Sequence, residues 1–324
     1  LSAKSAAAEL PEVVAVVGPT ASGKTDFAIV LAERLGGEVI SADSVQIYRH
    51  FDIGSGKPTE AERRGIPHHL IDAVEPTDEV DASIFAQRAT SAIEEVAARG
   101  RLPIICGGTF LWVRALLYGL APAPPKDDAI RERHRAFVEN HSRAALHEKL
   151  AAVDPQSHAR LMPNDFVRVS RALEVFELTG KALSEFQREH GFKQLRYRAR
   201  LVGVRHAREQ LHARIEARVR RMLERGWVAE VEQLLKRGFG QTRPMGSVGY
   251  AQVRAALEQS TPIDDERLVQ DVAQVTRVFA RRQRTWLRDQ PVQWLTSDFV
   301  GHASVDDFRT LLAEGGVSTR AGVD

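Results

Sequence analysis

Cysteine is almost missing. Cys106 is the only one in 324 residues, which excludes an internal disulfide and any multi-cysteine zinc site and makes a reducing, cytoplasmic setting the expectation. Long apolar runs are missing too: no stretch approaches the ~20 residues a membrane helix needs, so no membrane partner is expected. Nor is there an excess of one charge. The formal net charge is +2, which by itself says nothing about nucleic acid. Internal repeats are absent. Residues 1–10 are rich in Ala and Ser but lack the apolar core of a signal peptide, so a frayed tail is expected there, with a second, Gly-rich one over 315–324. What is left is an ordinary globular composition, 43% hydrophobic and 27% charged. Such a length can bury a full core and leaves room for one large domain, or one domain plus an insertion.

The most informative stretch runs from Val13 to Thr25. Val-Val-Ala-Val-Val is a short β-branched run expected to form a buried strand, and Gly18-Pro19-Thr20-Ala21-Ser22-Gly23-Lys24-Thr25 fits the G-x-x-x-x-G-K-[ST] phosphate loop at every fixed position. Gly18 and Gly23 let the backbone bend closely around an anion, so that N–H groups and a helix N-terminus point at phosphate oxygens. Lys24 adds a point charge, and the Thr25 hydroxyl can hold Mg²⁺ between two phosphates. The amphipathic segment with Phe27, Ile29, Val30, Leu31 and Leu35 supplies the helix. A di- or triphosphate is therefore the expected ligand.

Further along, Gly36-Gly37 stops that helix and Glu38 to Ser41 is expected as a second strand ending at Asp43. In open α/β sheets the carboxyl ends of strands line the ligand crevice, which places Asp43 beside the loop. Asp43 could also be a helix N-cap, but the polar Gln46 and Tyr48 after it favour a ligand role. Residues 52–58 read as a loop. His68-His69 lacks a third metal ligand at usable spacing, so ordinary hydrogen-bonded histidines are expected. A helix over 83–99 precedes a strand at Arg101 to Cys106, and Gly107-Gly108-Thr109 follows, either as a tight turn or as a third part of the same rim. That strand ends without the Asp that phosphate-loop hydrolases use on Mg²⁺. A hydrolase or motor is disfavoured.

Pro122-Ala123-Pro124-Pro125 breaks the α/β rhythm, and residues to about Phe192 look helical. The expected organisation is a discontinuous core at 11–122 and 195–298 with an inserted helical subdomain at 123–194. Within the insertion Asn164-Asp165 can cap a helix ending near Thr179-Gly180, and Arg198 to Val204 returns as a strand. The fold class is α/β: a phosphate-loop parallel sheet flanked by helices, carrying a helical insertion. Arginine gathers in the C-terminal half. Arg214, Arg218, Arg221 and Arg225 share one helical stripe; Arg277, Arg281, Arg284 and Arg288 form another, with no acid from Thr276 to Arg288. A stripe without acids is expected to face a polyanion, with salt-sensitive binding.

Together these stretches resemble the bacterial tRNA dimethylallyltransferases, also called tRNA isopentenyltransferases. The matching segments are 18–25, Ser-Ala-Asp-Ser-Val-Gln-Ile-Tyr at 41–48, Asp-Ile-Gly-Ser-Gly-Lys-Pro at 52–58 and Pro-His-His-Leu-Ile-Asp at 67–72. Gly-Gly-Thr at 107–109, Val-Arg-Val-Ser-Arg-Ala-Leu-Glu-Val at 167–175, Val-Gly-Tyr at 248–250 and Arg-Arg-Gln-Arg-Thr-Trp-Leu-Arg at 281–288 complete the ordered set. The resemblance departs at Gly246-Ser247 and Ala251, where the family carries basic residues, and there is no C-terminal Cys/His zinc module of the eukaryotic kind.

The resemblance implies transfer of a dimethylallyl group from its diphosphate to the exocyclic amine of the adenosine just 3′ of the anticodon in certain tRNAs, by a monomer, with the target base flipped into a channel. The loop residues Gly18, Pro19, Thr20, Ala21, Ser22, Gly23, Lys24 and Thr25, with Arg218 and Mg²⁺ on Thr25, would neutralise the departing diphosphate. The catalytic pair would be Asp43, as general base or orienting acceptor, and Thr109, contacting the reacting groups from the other side. Expected tRNA contacts are Asp43, Ser44, Val45 and Gln46; Val167, Arg168, Val169, Ser170 and Arg171; and Arg281, Arg282, Gln283, Arg284, Thr285, Trp286, Leu287 and Arg288. Two other classes compete: a small-molecule kinase of nucleotide type, which leaves the arginine helix unexplained, and a non-catalytic RNA-binding protein, which wastes the phosphate loop.

Overall fold

A computed structural model describes residues 10–192, 194–259 and 263–313. The expected tails, apart from Leu10, lie outside the described residues. The sheet has six parallel strands, β1 (Glu12–Val17), β2 (Gly37–Ser41), β3 (His68–His69), β4 (Leu102–Gly107), β5 (Arg198–Val204) and β6 (Val292–Leu295), in the order β3-β2-β4-β1-β5-β6. Val13 to Val17 are buried throughout, as a strand covered on both faces requires. β6 was not anticipated: four residues just behind a proline carry too short a pattern to stand out.

Strand pairing does the work of assembling the rim. β1 pairs with β4 so that Val17 lies opposite Gly107, and β2 pairs with β4 so that Ser41 lies opposite Cys106. The carboxyl ends of all three therefore finish side by side, bringing Gly18, Asp43 and Thr109 to one edge. The approach is close enough to dictate a residue. A Cβ on Gly107 would lie 2.1 Å from the Ala42 carbonyl oxygen, a position no side-chain-bearing residue could take without parting the two strands.

Beneath the rim, helix Lys24–Leu35 lays Phe27, Ala28, Leu31 and Ala32 against the sheet, where Phe308 and Leu311 of the last helix, Val305–Ala313, complete the cluster. Helices Arg208–Glu224 and Asp265–Leu287 pack together through Leu211, Ile215, Ala273 and Ala280, with Ala21 of the loop against the same cluster.

The chain divides into two compact units, Leu1–Leu117 with Arg196–Asp324, and Tyr118–Leu195. Among its described residues the second has only helices: Asp128–Asn140, Arg143–Val153, Pro155–Arg160, Phe166–Thr179 and Leu183–His190. Leu146, Leu150, Leu161, Val169, Ala172 and Leu173 form its core. Glu174 is fully buried in it, receiving Arg131, Arg171 and the Asp127 amide. Burial would raise its pKa, but those hydrogen bonds prevail and hold the carboxyl below its ordinary range.

Candidate active site

The phosphate loop is gripped from behind by its carbonyls. Arg214 Nε donates to the Ala21 oxygen at 2.8 Å and His206 Nε2 to the Ser22 oxygen at 2.8 Å, while Lys24, which lines the cavity, donates from Nζ to the Pro19 oxygen at 3.4 Å. Ala21 takes a left-handed φ of 63° and Gly23 one of 83°, which turns the amides to the opposite side. Among the described residues, the N–H groups of Ala21, Gly23, Lys24 and Thr25 find no acceptor in the protein. Nor does Gly23 offer a side chain to cap the helix. Uncapped donors at a helix N-terminus form an anion site.

Two expected donors are otherwise engaged. The Thr20 amide donates to Gln283 Oε1 at 2.8 Å and the Ser22 amide to the Pro19 oxygen at 3.3 Å. The Ser22 hydroxyl is buried without a partner among the described residues.

Charge gathers on the same side. Lys24 is buried, and desolvation, with Arg218 nearby, lowers its pKa against the opposing pull of Cys106 and Asp43. Arg218 donates to Thr20 Oγ1 at 3.0 Å and to the Ser55 oxygen at 3.3 Å. Its guanidinium sits deep among protein atoms, which lowers its pKa, while Asp43 counters that shift. Burial pushes the Cys106 thiol up to about 11, so it stays protonated beneath the loop. A bound polyanion would relieve the crowding of Lys24 and Arg218.

Opposite the loop, Asp43 uses Oδ1 to accept the amides of Val45 at 2.9 Å and Gln46 at 3.3 Å, the short turn that a cap would make. Oδ2 takes no part in that turn, and the residue lines the same cavity of about 660 Å³ as Lys24, Thr25 and Thr109. The cap and ligand readings of Asp43 are thus compatible. Thr109 Oγ1 accepts from the Ser44 amide at 3.1 Å and donates to the Ser44 hydroxyl at 3.3 Å, tying the ends of β4 and β2 together.

The cavity wall across from Thr20 is the loop 52–58. Gly56 has a φ of 64°, and a Cβ there would fall 2.1 Å from the Arg218 guanidinium. Lys57, buried, donates to Asp52 at 2.7 Å, Asp72 at 2.5 Å and the Tyr48 oxygen at 2.6 Å. From a distant helix, Trp227–Lys236, Glu230 accepts the amides of Asp52 at 3.0 Å, Ile53 at 2.6 Å and Gly54 at 3.2 Å, and the Tyr250 hydroxyl at 2.6 Å. Sequence reasoning missed Glu230 and Arg214's grip on the loop. Only the Val-Gly-Tyr segment, through Tyr250, hinted that something remote met this wall.

The expected RNA contacts separate into exposed and internal residues. Arg282 lines the main cavity. Arg281 and Arg284 line a second one of about 500 Å³ with Arg208, His212 and Arg277. Thr285 and Arg288 are exposed, and Trp286 lies 5.9 Å from the Arg114 guanidinium. Leu287 is buried by helix periodicity and is corrected; Gln283 is also turned inward, where it lines the main cavity and bridges the Thr20 amide and, at 2.9 Å, the Gly108 oxygen. In the helical unit, Val167 and Arg168 are exposed, while Val169 and Ser170 are buried by the same periodicity and withdrawn as side-chain contacts. Arg171 is committed to Glu174 and the Pro124 carbonyl. His69 pairs with Glu38 at 2.7 Å and His68 Nδ1 with the Ile66 oxygen at 2.8 Å, while His68 Nε2 is buried without a partner among the described residues and the residue lines the main cavity. Gly246 and Ser247 line the main cavity without a charge, and no described helix is long and apolar enough to cross a membrane.

The family model described as IPP transferase matches residues 46–290. A tRNA dimethylallyltransferase of Sorangium cellulosum is 59% identical over 284 residues, 88% of this chain and 90% of that protein. The crystal structure of a full-length tRNA isopentenylpyrophosphate transferase from Bacillus halodurans superposes with a TM-score of 0.67 at 35% identity, covering 93% of this chain and 95% of the other. A eukaryotic dimethylallyltransferase, captured acting on tRNA, superposes with a TM-score of 0.77 at 25% identity, covering 97% and 87%.

Proposed function

The chain belongs to the IPP transferase family, and from that premise we propose that it moves a dimethylallyl group from dimethylallyl diphosphate to the exocyclic N6 of the adenosine 3′-adjacent to the anticodon, acting as a cytoplasmic monomer. The carrying observation is that a cradle of open amides and a carboxylate face one cavity from opposite sides. The kinase alternative is not favoured by the family.

In the reaction the C–O bond to diphosphate breaks as the N6–C bond forms, and one N6 proton leaves. The amides of Ala21, Gly23, Lys24 and Thr25, with Lys24 and Arg218, neutralise charge that grows on the departing oxygen. Asp43 Oδ2 accepts the proton or orients the amine, held in aim by the bonds that Oδ1 makes to Val45 and Gln46. Thr109 and Ser44 keep the two strand ends at fixed spacing around it. Thr25 and Asp43 offer hard oxygen donors in the same cavity, a set that suits Mg²⁺, which when bound would supply further positive charge at the diphosphate. We assign RNA contact to Arg281, Arg282, Arg284, Thr285, Trp286 and Arg288, and to Val167 and Arg168.

Incubation with dimethylallyl diphosphate, Mg²⁺ and unmodified tRNA should yield isopentenyladenosine in the tRNA, read by nucleoside mass spectrometry. ATP turnover without RNA, and no prenylated nucleoside, would remove this reading.

A further inference from the structure

Among its described residues, the helical unit contains one group that its own chemistry leaves unexplained. His147, on helix Arg143–Val153, has a side chain only 7% exposed. Its Nε2 lies 3.1 Å from the His158 carbonyl oxygen and 2.9 Å from that of Leu161. Carbonyls only accept, so Nε2 carries the hydrogen and Nδ1 of the neutral ring holds a lone pair. That Nδ1 is buried and, among the described residues, has no hydrogen-bond partner.

What it faces makes the situation sharper. The Glu148 carboxylate oxygen is 3.8 Å away, beyond hydrogen-bond reach, and is itself an acceptor. His158 Nε2 stands 3.5 Å from the same oxygen, with the two imidazoles stacked at 4.4 Å between centroids. The ligand-capable atoms of His147, Glu148 and His158 lie within 4.8 Å of one another. His158 Nε2–H can donate to the Glu148 oxygen at the limit of hydrogen-bond distance, but among the described residues the buried lone pair of His147 Nδ1 faces a carboxylate with no donor, a repulsion that a cation between them would relieve.

We infer that this corner, where helix Arg143–Val153 meets helix Pro155–Arg160, is a binding site for a divalent transition cation, Zn²⁺ foremost, held by His147 Nδ1, His158 Nε2 and the Glu148 carboxylate. The spacing suits it: ligands about 2.1 Å from a tetrahedral ion stand about 3.4 Å apart, and the Glu148 oxygen is 3.8 Å and 3.5 Å from the two imidazole nitrogens, which themselves lie within 4.8 Å of each other. The hydrogen bond from the remote ring nitrogen of His147 to backbone carbonyl is the arrangement that fixes tautomer and ring angle in metal-bound histidines. Two imidazoles with one carboxylate select Zn²⁺ or its neighbours over Mg²⁺ or Ca²⁺. Glu148 is 70% exposed and His158 29%, which gives the ion an entry path and leaves a position for water.

Such an ion would clip two helices whose junction already turns on buried Asp154. That carboxylate accepts the Ser157 amide and hydroxyl and the Ser184 amide. The ion's role is structural, separate from any Mg²⁺ at the phosphate loop.

The test uses the full chain stripped with chelator, then titrated with Zn²⁺ by calorimetry and with Co²⁺ followed by its visible d–d absorption. We expect one equivalent bound at this corner, a Tm raised by Zn²⁺ and not by Mg²⁺, and affinity weakened at least about tenfold in both Glu148→Gln and His158→Ala. Both positions reach solvent, so each variant is expected to fold; circular dichroism checks this. Equal Zn²⁺ affinity in the parent and both variants places the metal elsewhere and overturns the assignment, as does absence of binding to the parent.

Discussion

The two compact units treat polar groups in opposite ways. In the helical unit the first-turn amides are met by side chains: Asp127 caps Ile130, Ser142 caps Ala145, Asp154 caps Ser157 and reaches Ser184, and Asp165 caps Arg168. Its buried Glu174 is fully paired as well. At the sheet rim the reverse holds. Helix Lys24–Leu35 starts on an uncapped glycine, the Ser22 hydroxyl is buried without a partner among the described residues, and Lys24 and Arg218 crowd one another. Because an unmet donor costs free energy, a protein that leaves several in one cluster is holding them for a ligand. Apart from His147 Nδ1, the polar groups described in the helical unit stabilise the chain; those at the rim await a substrate.

That contrast can be broken by experiment. The largest expected effect is at the rim: Asp43→Ala should lower transfer about 10³-fold with tRNA affinity kept and Tm little changed. Near-normal turnover would take Asp43 out of the chemistry. In the helical unit, Glu174→Gln should cost stability, about 3 kcal/mol in urea melts, because Arg131 and Arg171 lose their charge partner. Its depressed carboxyl pKa has a sign to check. The stability it gives is present above the unfolded-state value and lost as pH falls through the folded one, so the variant should show a flatter acid limb. Retained acid sensitivity would move the effect to other carboxylates.

Gln283→Ala tests an intermediate case, a side chain that braces the loop without being charged. Removing its bonds to Thr20 and Gly108 should weaken diphosphate affinity about tenfold. If instead only tRNA affinity falls, Gln283 belongs to the RNA surface. The smallest effect is protonic. Burial lowers the Lys24 pKa, and a bound diphosphate would restore it, so binding above the lowered pKa should take up protons and weaken as pH rises. Calorimetry in two buffers of different ionisation heat reads this directly, and zero uptake would place the anion away from Lys24.

What could be read in the sequence follows the range of the interaction. The phosphate loop is a local pattern, and Asp43 and Thr109 follow from the rule that strand ends share one edge, so both were legible before any coordinates. Gln283 to Thr20, Arg214 to Ala21 and Glu230 to Ile53 join residues 263, 193 and 177 positions apart. No spacing rule reaches that far. The arginine helix was recognised by what it lacks, but its absence of acid says nothing about which way each residue turns, and Gln283 and Leu287 point inward. His147 was invisible for a similar reason, since its partners are carbonyls whose positions depend on how the next helix begins.

The Glu230 clasp has a consequence for inheritance of function. One carboxylate satisfies a run of neighbouring backbone amides and a phenol at once. No single substitution elsewhere can take over all of those duties, so the helix bearing it is answerable for the shape of a pocket it does not itself line with that residue. Variation at that distance would surface as altered substrate preference long before it surfaced as an unfolded protein.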